Sequence, residues 1–207
     1  MIKNLLFDLG GVIMDIRREN CVKAMKAIGM ADAEEYLGEY SQKGPFAKIE
    51  NGEWDEKQFH DGIREIIGTK VSDEQINAAF NAFLIGIPEE RLNELVKLHE
   101  RFAIYMLSNT NPIMWRMKIA DEFAKQGHDV NYYFDGVVRS YKAGCMKPAK
   151  KIFEIVEQKF GIRPEETVFF DDSQRNLNAA AEMGFHTILV KPGDEFYALL
   201  AKSGYID

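Results

Sequence analysis

Leu5-Leu6-Phe7-Asp8-Leu9-Gly10-Gly11-Val12 decides the fold: an apolar run of strand length, an aspartate, and a glycine pair that turns the chain. Read as a buried strand over Asn4 to Phe7, it places the Asp8 carboxylate at the strand's carboxyl end, where open parallel sheets gather their ligands. Four more short apolar runs follow, at Ala103 to Leu107, Gly136 to Val138, Thr167 to Phe170 and Thr187 to Val190. Helical segments separate them, so the pattern predicts an α/β fold built on a parallel sheet. One such helix is expected over Ala149 to Phe160, with Pro148 at its first position and Gly161 closing it. Another is expected over Ser173 to Met183, closed by Gly184.

Between Asp15 and about Pro88 no strand is expected, and amphipathic stretches of helical period dominate. Two capping boxes mark helix starts: Asp55 with Gln58 before Phe59 to Ile67, and Ser72 with Gln75 before Ile76 to Leu84. Asn51-Gly52 supplies a turn ahead of them. The chain therefore divides into a core of residues 1–15 and 88–207 and a helical insertion of residues 16–87 packed against it.

A chain of 207 residues supports one sizeable core with a small inserted module. No apolar stretch is long enough to span a bilayer, and the amino-terminal run carries an aspartate that a signal peptide would lack. A cytoplasmic protein without membrane partners is the expectation, as a monomer or small homo-oligomer. Cys21 and Cys145 are isolated and suggest neither a disulfide framework nor a zinc site. A formal charge of −7 disfavours nucleic acid as partner, because that binding depends on basic residues neutralising phosphates. A small anionic metabolite remains compatible, since a few local cations, a metal and helix N-termini reverse the potential inside one cleft.

Chemistry-bearing residues recur at strand ends. Ser108-Asn109 follows the second core strand with a hydroxyl and an amide able to donate to phosphoryl oxygens, though either also suits the cap of the helix after Pro112. Lys147-Pro148 opens a helix, where a lysine is ordinarily a solvated side chain. Asp171-Asp172 ends a further strand; capping explains one acid better than two, and paired carboxylates suit a hard cation such as magnesium. Asn176, one turn beyond Asp172, shares its helical face.

In order, Phe7-Asp8-Leu9-Gly10-Gly11-Val12, Leu107-Ser108-Asn109, Gly144-Cys145-Met146-Lys147-Pro148 and Phe169-Phe170-Asp171-Asp172 resemble the four motifs of the haloacid dehalogenase superfamily. The insertion resembles that family's small helical cap, and the overall likeness is to sugar-phosphate phosphatases and the phosphatase domain of soluble epoxide hydrolases. The resemblance implies a three-layer Rossmann-like core and a phosphatase acting on a small phosphorylated metabolite through an aspartyl phosphate at Asp8. It further implies Mg2+ held by Asp8, Asp172 and the backbone carbonyl of Gly10, with Ser108, Asn109 and Lys147 on the phosphate and Asp171 and Asn176 behind the metal site. One departure matters. The family usually carries a second aspartate two residues after the nucleophile, as acid and base; here that position is Gly10. Its loss should bias the enzyme toward esters with good leaving groups.

Three other readings share these residues. Halide removal from a haloacid uses the same aspartate without magnesium, and Asp171-Asp172 argues against it. A phosphomutase depends on the acid missing at Gly10. A phosphate-binding regulatory protein that has lost turnover is recommended by Gly10 alone. His60, His99, His128 and His186 show no ligand or triad spacing, and Met106, Met114, Trp115 and Met117 read as core packing. Arg17 and Arg18 suit a solvated hinge or a second anionic group of the substrate, while Phe46, Glu50 and Trp54 are insertion residues able to face the cleft.

Overall fold

The computed structural model describes residues 1–38 and 42–206. Five strands form a parallel sheet: β1 (Asn4–Phe7), β4 (Ala103–Ser108), β5 (Gly136–Arg139), β6 (Thr167–Asp171) and β7 (His186–Leu189). Two shorter strands, β2 (Asp15–Ile16) and β3 (Leu84–Gly86), pair antiparallel outside it. The sheet order is β5-β4-β1-β6-β7, so β1 is central, and Phe7 aligns with Met106 on one side and Phe170 on the other.

Period-two alternation builds the layers. Leu5 and Phe7 join Ile104, Met106, Val168 and Phe170 in one core, while Leu6, Leu107 and Phe169 pack on the opposite face against Ile152, Phe153, Leu177 and Ala180. Apolar residues on both faces are what a parallel sheet covered on each side requires, which is why β1 and β6 read as continuous apolar runs. Phe7 and Phe170 stack with centroids 4.7 Å apart, and burial of one such side chain contributes about 1.5–3 kcal/mol. The second core is closed by helices Lys150–Phe160 and Gln174–Glu182. Helix, sheet and helix make the expected three layers.

Elements depart from expectation where local signals were weakest. The stretch after Pro148 becomes helical only at Lys150, with Ala149 as its N-cap, so Pro148 precedes the helix. Asn111, rather than Ser108 or Asn109, caps the helix at Pro112, its side chain accepting from the Met114 N–H at 2.9 Å. The last strand starts at His186, one residue early. The largest difference lies beside the insertion: β2 and β3 are strands where none was expected, and Leu84 belongs to β3 while the preceding helix ends at Asn81. This ribbon gathers both ends of the insertion at one place. Arg91 fixes it to the core, donating to the Ile13 carbonyl and the Asp15 carboxylate, and gripping Glu195 with its other nitrogens.

Both capping boxes form, at Asp55–Gln58 and Ser72–Gln75, and start helices Glu56–Ile67 and Asp73–Asn81. Phe46, Phe59 and Phe80 meet as a triangle of rings 5.1 to 5.5 Å apart, within the same hydrophobic cluster that holds Leu5 and Phe7 of β1. The turn at Asn51-Gly52 touches the sheet domain directly: Gly52 has φ 77°, and a Cβ there would lie 2.3 Å from the Tyr141 carbonyl oxygen. Only glycine fits that approach. No helix among the described residues is long and apolar enough to cross a membrane.

Candidate active site

The chain leaves β1 toward β4 and β5 on one side of the sheet, then returns to β6 and β7 on the other, so a switch point lies between β1 and β6. Asp8 and the Asp171-Asp172 pair stand there. Asp8 stays in register through its N–H, which donates to the Phe170 carbonyl at 2.8 Å, and its Oδ1 accepts from the Leu9 N–H at 2.7 Å. The glycines that follow are not equivalent. Gly10 has ordinary room, since a Cβ would meet only Ile16 carbons at 3.5 Å. Gly11 has φ 75°, and its Cβ would sit 2.4 Å from Asp172 Oδ2, so the Asp172 carboxylate rests directly on this turn.

Lys147 joins the two strand ends. Its Nζ lies 2.8 Å from Asp8 Oδ1 and 2.7 Å from Asp171 Oδ2, with the lysine side chain 1% exposed and that of Asp171 fully buried. A lysine that looks solvated in sequence is thus the buried counter-ion of the site. Although burial opposes its charge, Asp171 and Asp8 hold the ammonium above its ordinary pKa. Asn109 positions it: the amide Oδ1 accepts from the Lys147 N–H at 2.9 Å, and Nδ2 donates to the Lys147 carbonyl at 3.0 Å. The amide expected to face phosphoryl oxygens therefore has one N–H and its oxygen engaged with the lysine backbone. Ser108, 2% exposed, makes only a long 3.4 Å contact to the Asn109 carbonyl, which leaves its hydroxyl free to turn into the cleft.

Asp171 is saturated with donors. Besides Lys147 it accepts from the Ser173 N–H at 2.8 Å and from Asn176 Nδ2 at 2.9 Å, both on Oδ1. Asn176 thus stands behind Asp171. Asp8, Asp171 and Asp172 can bring one oxygen each within 4.8 Å of one another, a set of hard donors that fits Mg2+. Charge balance points the same way. Burial pushes the Asp8 carboxyl up to about 8, with Lys147 pulling it down and Asp171 and Asp172 adding to the rise. One ammonium does not neutralise three carboxylates, so further positive charge at this place favours the ionised, nucleophilic form of Asp8.

These residues form the floor of a cleft of about 150 Å³, room for a small ester. Asp8, Gly10, Ser108, Asn109, Lys147, Asp172 and Asn176 all line it; Asp171 lies beneath. Of the three insertion residues considered from sequence, Glu50 alone faces the cleft. Phe46 lies in the aromatic triangle, and Trp54 packs over Gly62 and under Lys48. Arg18 is tied to the Leu37 and Glu34 carbonyls, and neither it nor Arg17 lines the cleft. His60 is a buried structural histidine bonded to Asn77. Met114 does line the cleft, whereas Met117 is 43% exposed and no core residue. Thr110, unremarked in sequence, lines it with a buried hydroxyl that has no partner among the described residues. Its backbone is clamped by Ser140, which both donates to its carbonyl and accepts from its N–H.

Comparison with known proteins places this geometry. Over 196 residues the chain is 34% identical to the D-ribitol-5-phosphate phosphatase of Bacteroides thetaiotaomicron, spanning 95% of each. A HAD family enzyme of the same organism, solved as a complex with magnesium and inorganic phosphate, is 41% identical, with a TM-score of 0.90 over 96% of this chain and 99% of that one. A shorter stretch of 71 residues is 35% identical to bifunctional epoxide hydrolase 2 of Rattus norvegicus, 34% of this chain and 13% of that protein. The model of the haloacid dehalogenase-like hydrolases matches residues 2–184, from β1 past the Asp171-Asp172 pair. Strand-end carboxylates, a buried lysine between them and a match of that extent make the chain a member of the haloacid dehalogenase-like hydrolase family.

Proposed function

We propose that the protein is a magnesium-dependent phosphatase that hydrolyses the monoester of a small phosphorylated polyol or sugar, with Asp8 as the nucleophile. The observation that carries this reading is the Asp8–Lys147–Asp171 ion-pair chain, set beside Asp172 at the switch point of a parallel sheet. The similar D-ribitol-5-phosphate phosphatase supports the substrate class.

Asp8 attacks phosphorus, the bond from phosphorus to the ester oxygen breaks, and the alkoxide leaves and takes a proton from solvent; water then attacks the aspartyl phosphate, loses a proton to solvent, releases inorganic phosphate and regenerates the carboxylate. Magnesium, held by Asp8, Asp172 and the Gly10 carbonyl, would supply charge neutralisation between the anionic nucleophile and the anionic phosphate. Lys147 neutralises Asp8 and the incoming phosphoryl oxygens together, and its own position is set by Asp171 and Asn109. Ser108 turns its hydroxyl to an equatorial oxygen. Asn176 and the Ser173 N–H hold Asp171 so that its other oxygen keeps facing the lysine. Gly10 brings no proton, so departure of an alkoxide is the step this chain assists least. Residues 16–87 act as the cap, closing over the bound ester from the β2–β3 ribbon.

Hydrolysis of phenyl phosphate with magnesium, with chelator and by Asp8→Asn tests the reading. Release that needs the metal and disappears in the variant is expected. Activity that survives either change would sink the mechanism, and no release from a broad phosphoester panel would favour a phosphate-binding protein without turnover.

A further inference from the structure

The cleft wall contributed by the insertion is mostly apolar, formed by Ile16, Phe80, Phe83 and Leu84. Two polar side chains interrupt it. Glu50 closes the helix Gly44–Glu50, is 9% exposed, and its side chain makes no hydrogen bond or ion pair with any described residue. Gln42 Oε1 is buried without a partner among the described residues, and so is Thr110 Oγ1 on the core side of the same cleft. Buried polar atoms are nearly always hydrogen-bonded, and two without partners among the described residues, together with an unpaired carboxyl on the same cavity, mark a place where the partner comes from outside.

The position of Glu50 is itself built. Phe46, on the same helix, is locked between Phe59 and Phe80, and two residues after Glu50 the chain is pinned where Gly52 meets the Tyr141 carbonyl. The carboxyl is therefore held at the cleft by both the insertion and the sheet domain. Its surroundings favour the neutral form. Burial pushes it up to about 8, and the other ionisable groups on the cleft or beside Cys21 are that thiol, Arg18, the exposed Arg175, and the Asp8, Lys147 and Asp172 cluster, which carries a surplus of carboxylate. A neutral carboxyl donates one hydrogen bond and accepts others, as a hydroxyl does, and so matches alcohol groups in both senses.

Resting on the phosphatase reading above, we propose that Glu50, with Gln42 and Thr110, forms a subsite for the hydroxyl groups of the substrate's alcohol portion, and that Glu50 sets the preference for polyol phosphates over aryl phosphates. The apolar wall lies along the carbon chain while the three polar groups take its hydroxyls. Esters without hydroxyls leave those groups unpaired and are rejected on that account.

The test is the ratio of kcat/KM for D-ribitol 5-phosphate to that for phenyl phosphate, in the wild type, Glu50→Ala and Glu50→Gln. Glu50→Ala is expected to lower the ratio by about tenfold or more, chiefly through KM for the polyol ester, and Glu50→Gln, which keeps a donor and an acceptor, to restore most of it. An unchanged ratio in Glu50→Ala overturns the proposal. So does a fall in kcat that is shared by both variants and deepens as the leaving group becomes more basic, because that would make Glu50 a proton donor. Calorimetric binding of D-ribitol 5-phosphate with magnesium to Asp8→Asn, with and without Glu50→Ala, tests the subsite without turnover. About tenfold weaker binding is expected, and equal affinity overturns the proposal. A wild type inert toward both esters defeats the phosphatase reading instead, and leaves the binding arm to decide the subsite.

Discussion

Glu50→Gln should make the protein more stable, by an amount that depends on pH in a defined way. Glutamate ordinarily titrates near 4.5, and burial alone holds the folded Glu50 carboxyl at about 8. Below 4.5 the side chain is protonated whether the chain is folded or unfolded, and wild type and variant differ by a constant. Above 4.5 the unfolded chain releases the proton while the folded chain keeps it, so the wild type loses about 1.4 kcal/mol per pH unit relative to the variant. The loss stops once the folded group ionises, near 8, by which point it amounts to roughly 5 kcal/mol at most. Asp8 is also pushed up to about 8, but it titrates in both proteins and cancels from the difference, as does the Cys21 thiol. Urea unfolding of both proteins between about pH 5 and pH 9, with chelator throughout, gives the difference directly. A gap that widens with pH and levels off above about 8 is expected. A gap independent of pH, or one that narrows, would refute the placement of an unpaired carboxyl at this position.

Three further substitutions probe the floor of the cleft. Lys147→Met removes the cation between Asp8 and Asp171, and leaving buried carboxylates uncompensated should cost about 3–5 kcal/mol in denaturant unfolding while abolishing turnover; normal stability would contradict the ion-pair geometry. Gly11→Ala forces a Cβ onto Asp172 Oδ2 at a positive φ, so the magnesium concentration giving half-maximal activity should rise by about tenfold or more. An unaltered magnesium dependence would show that Asp172 does not need this contact. Gly10→Asp fits the available space and restores an acid beside the nucleophile; hydrolysis of alkyl phosphates should accelerate by up to about 10²-fold, with aryl phosphates gaining far less. Equal gains on both classes would mean that the native enzyme does not lack leaving-group protonation.

The sheet was readable because a strand buried on both faces spells itself as an unbroken apolar run, as in Leu5-Leu6-Phe7 and Val168-Phe169-Phe170. The helices at Glu56 and Asp73 were readable from reciprocal caps, which are local chemistry. The ribbon of β2 and β3 was not, since strands of two and three residues with half-exposed faces carry no periodicity, and their partners are about seventy positions apart in the chain. Asp8, Ser108, Lys147 and Asp172 were found as motif positions, but what holds them was hidden. The amide of Asn109 grips a backbone 38 residues away, and nothing near Lys147 in sequence announces that it is buried between two acids. Glu50 ranked equally with Phe46 and Trp54 as an insertion residue. Only the packing of Phe46 against Phe59 and of Trp54 over Gly62 singles out the carboxyl that reaches the cleft.

The central claim is that Asp8 becomes phosphorylated. Rapid acid quench of the enzyme during turnover of a phosphomonoester with magnesium, followed by proteolysis and mass spectrometry, observes that event. The peptide carrying Asp8 should gain one phosphoryl group in the wild type, and the corresponding peptide of Asp8→Asn none. A wild-type enzyme that turns over under these conditions with its phosphoryl group on another residue would contradict the account.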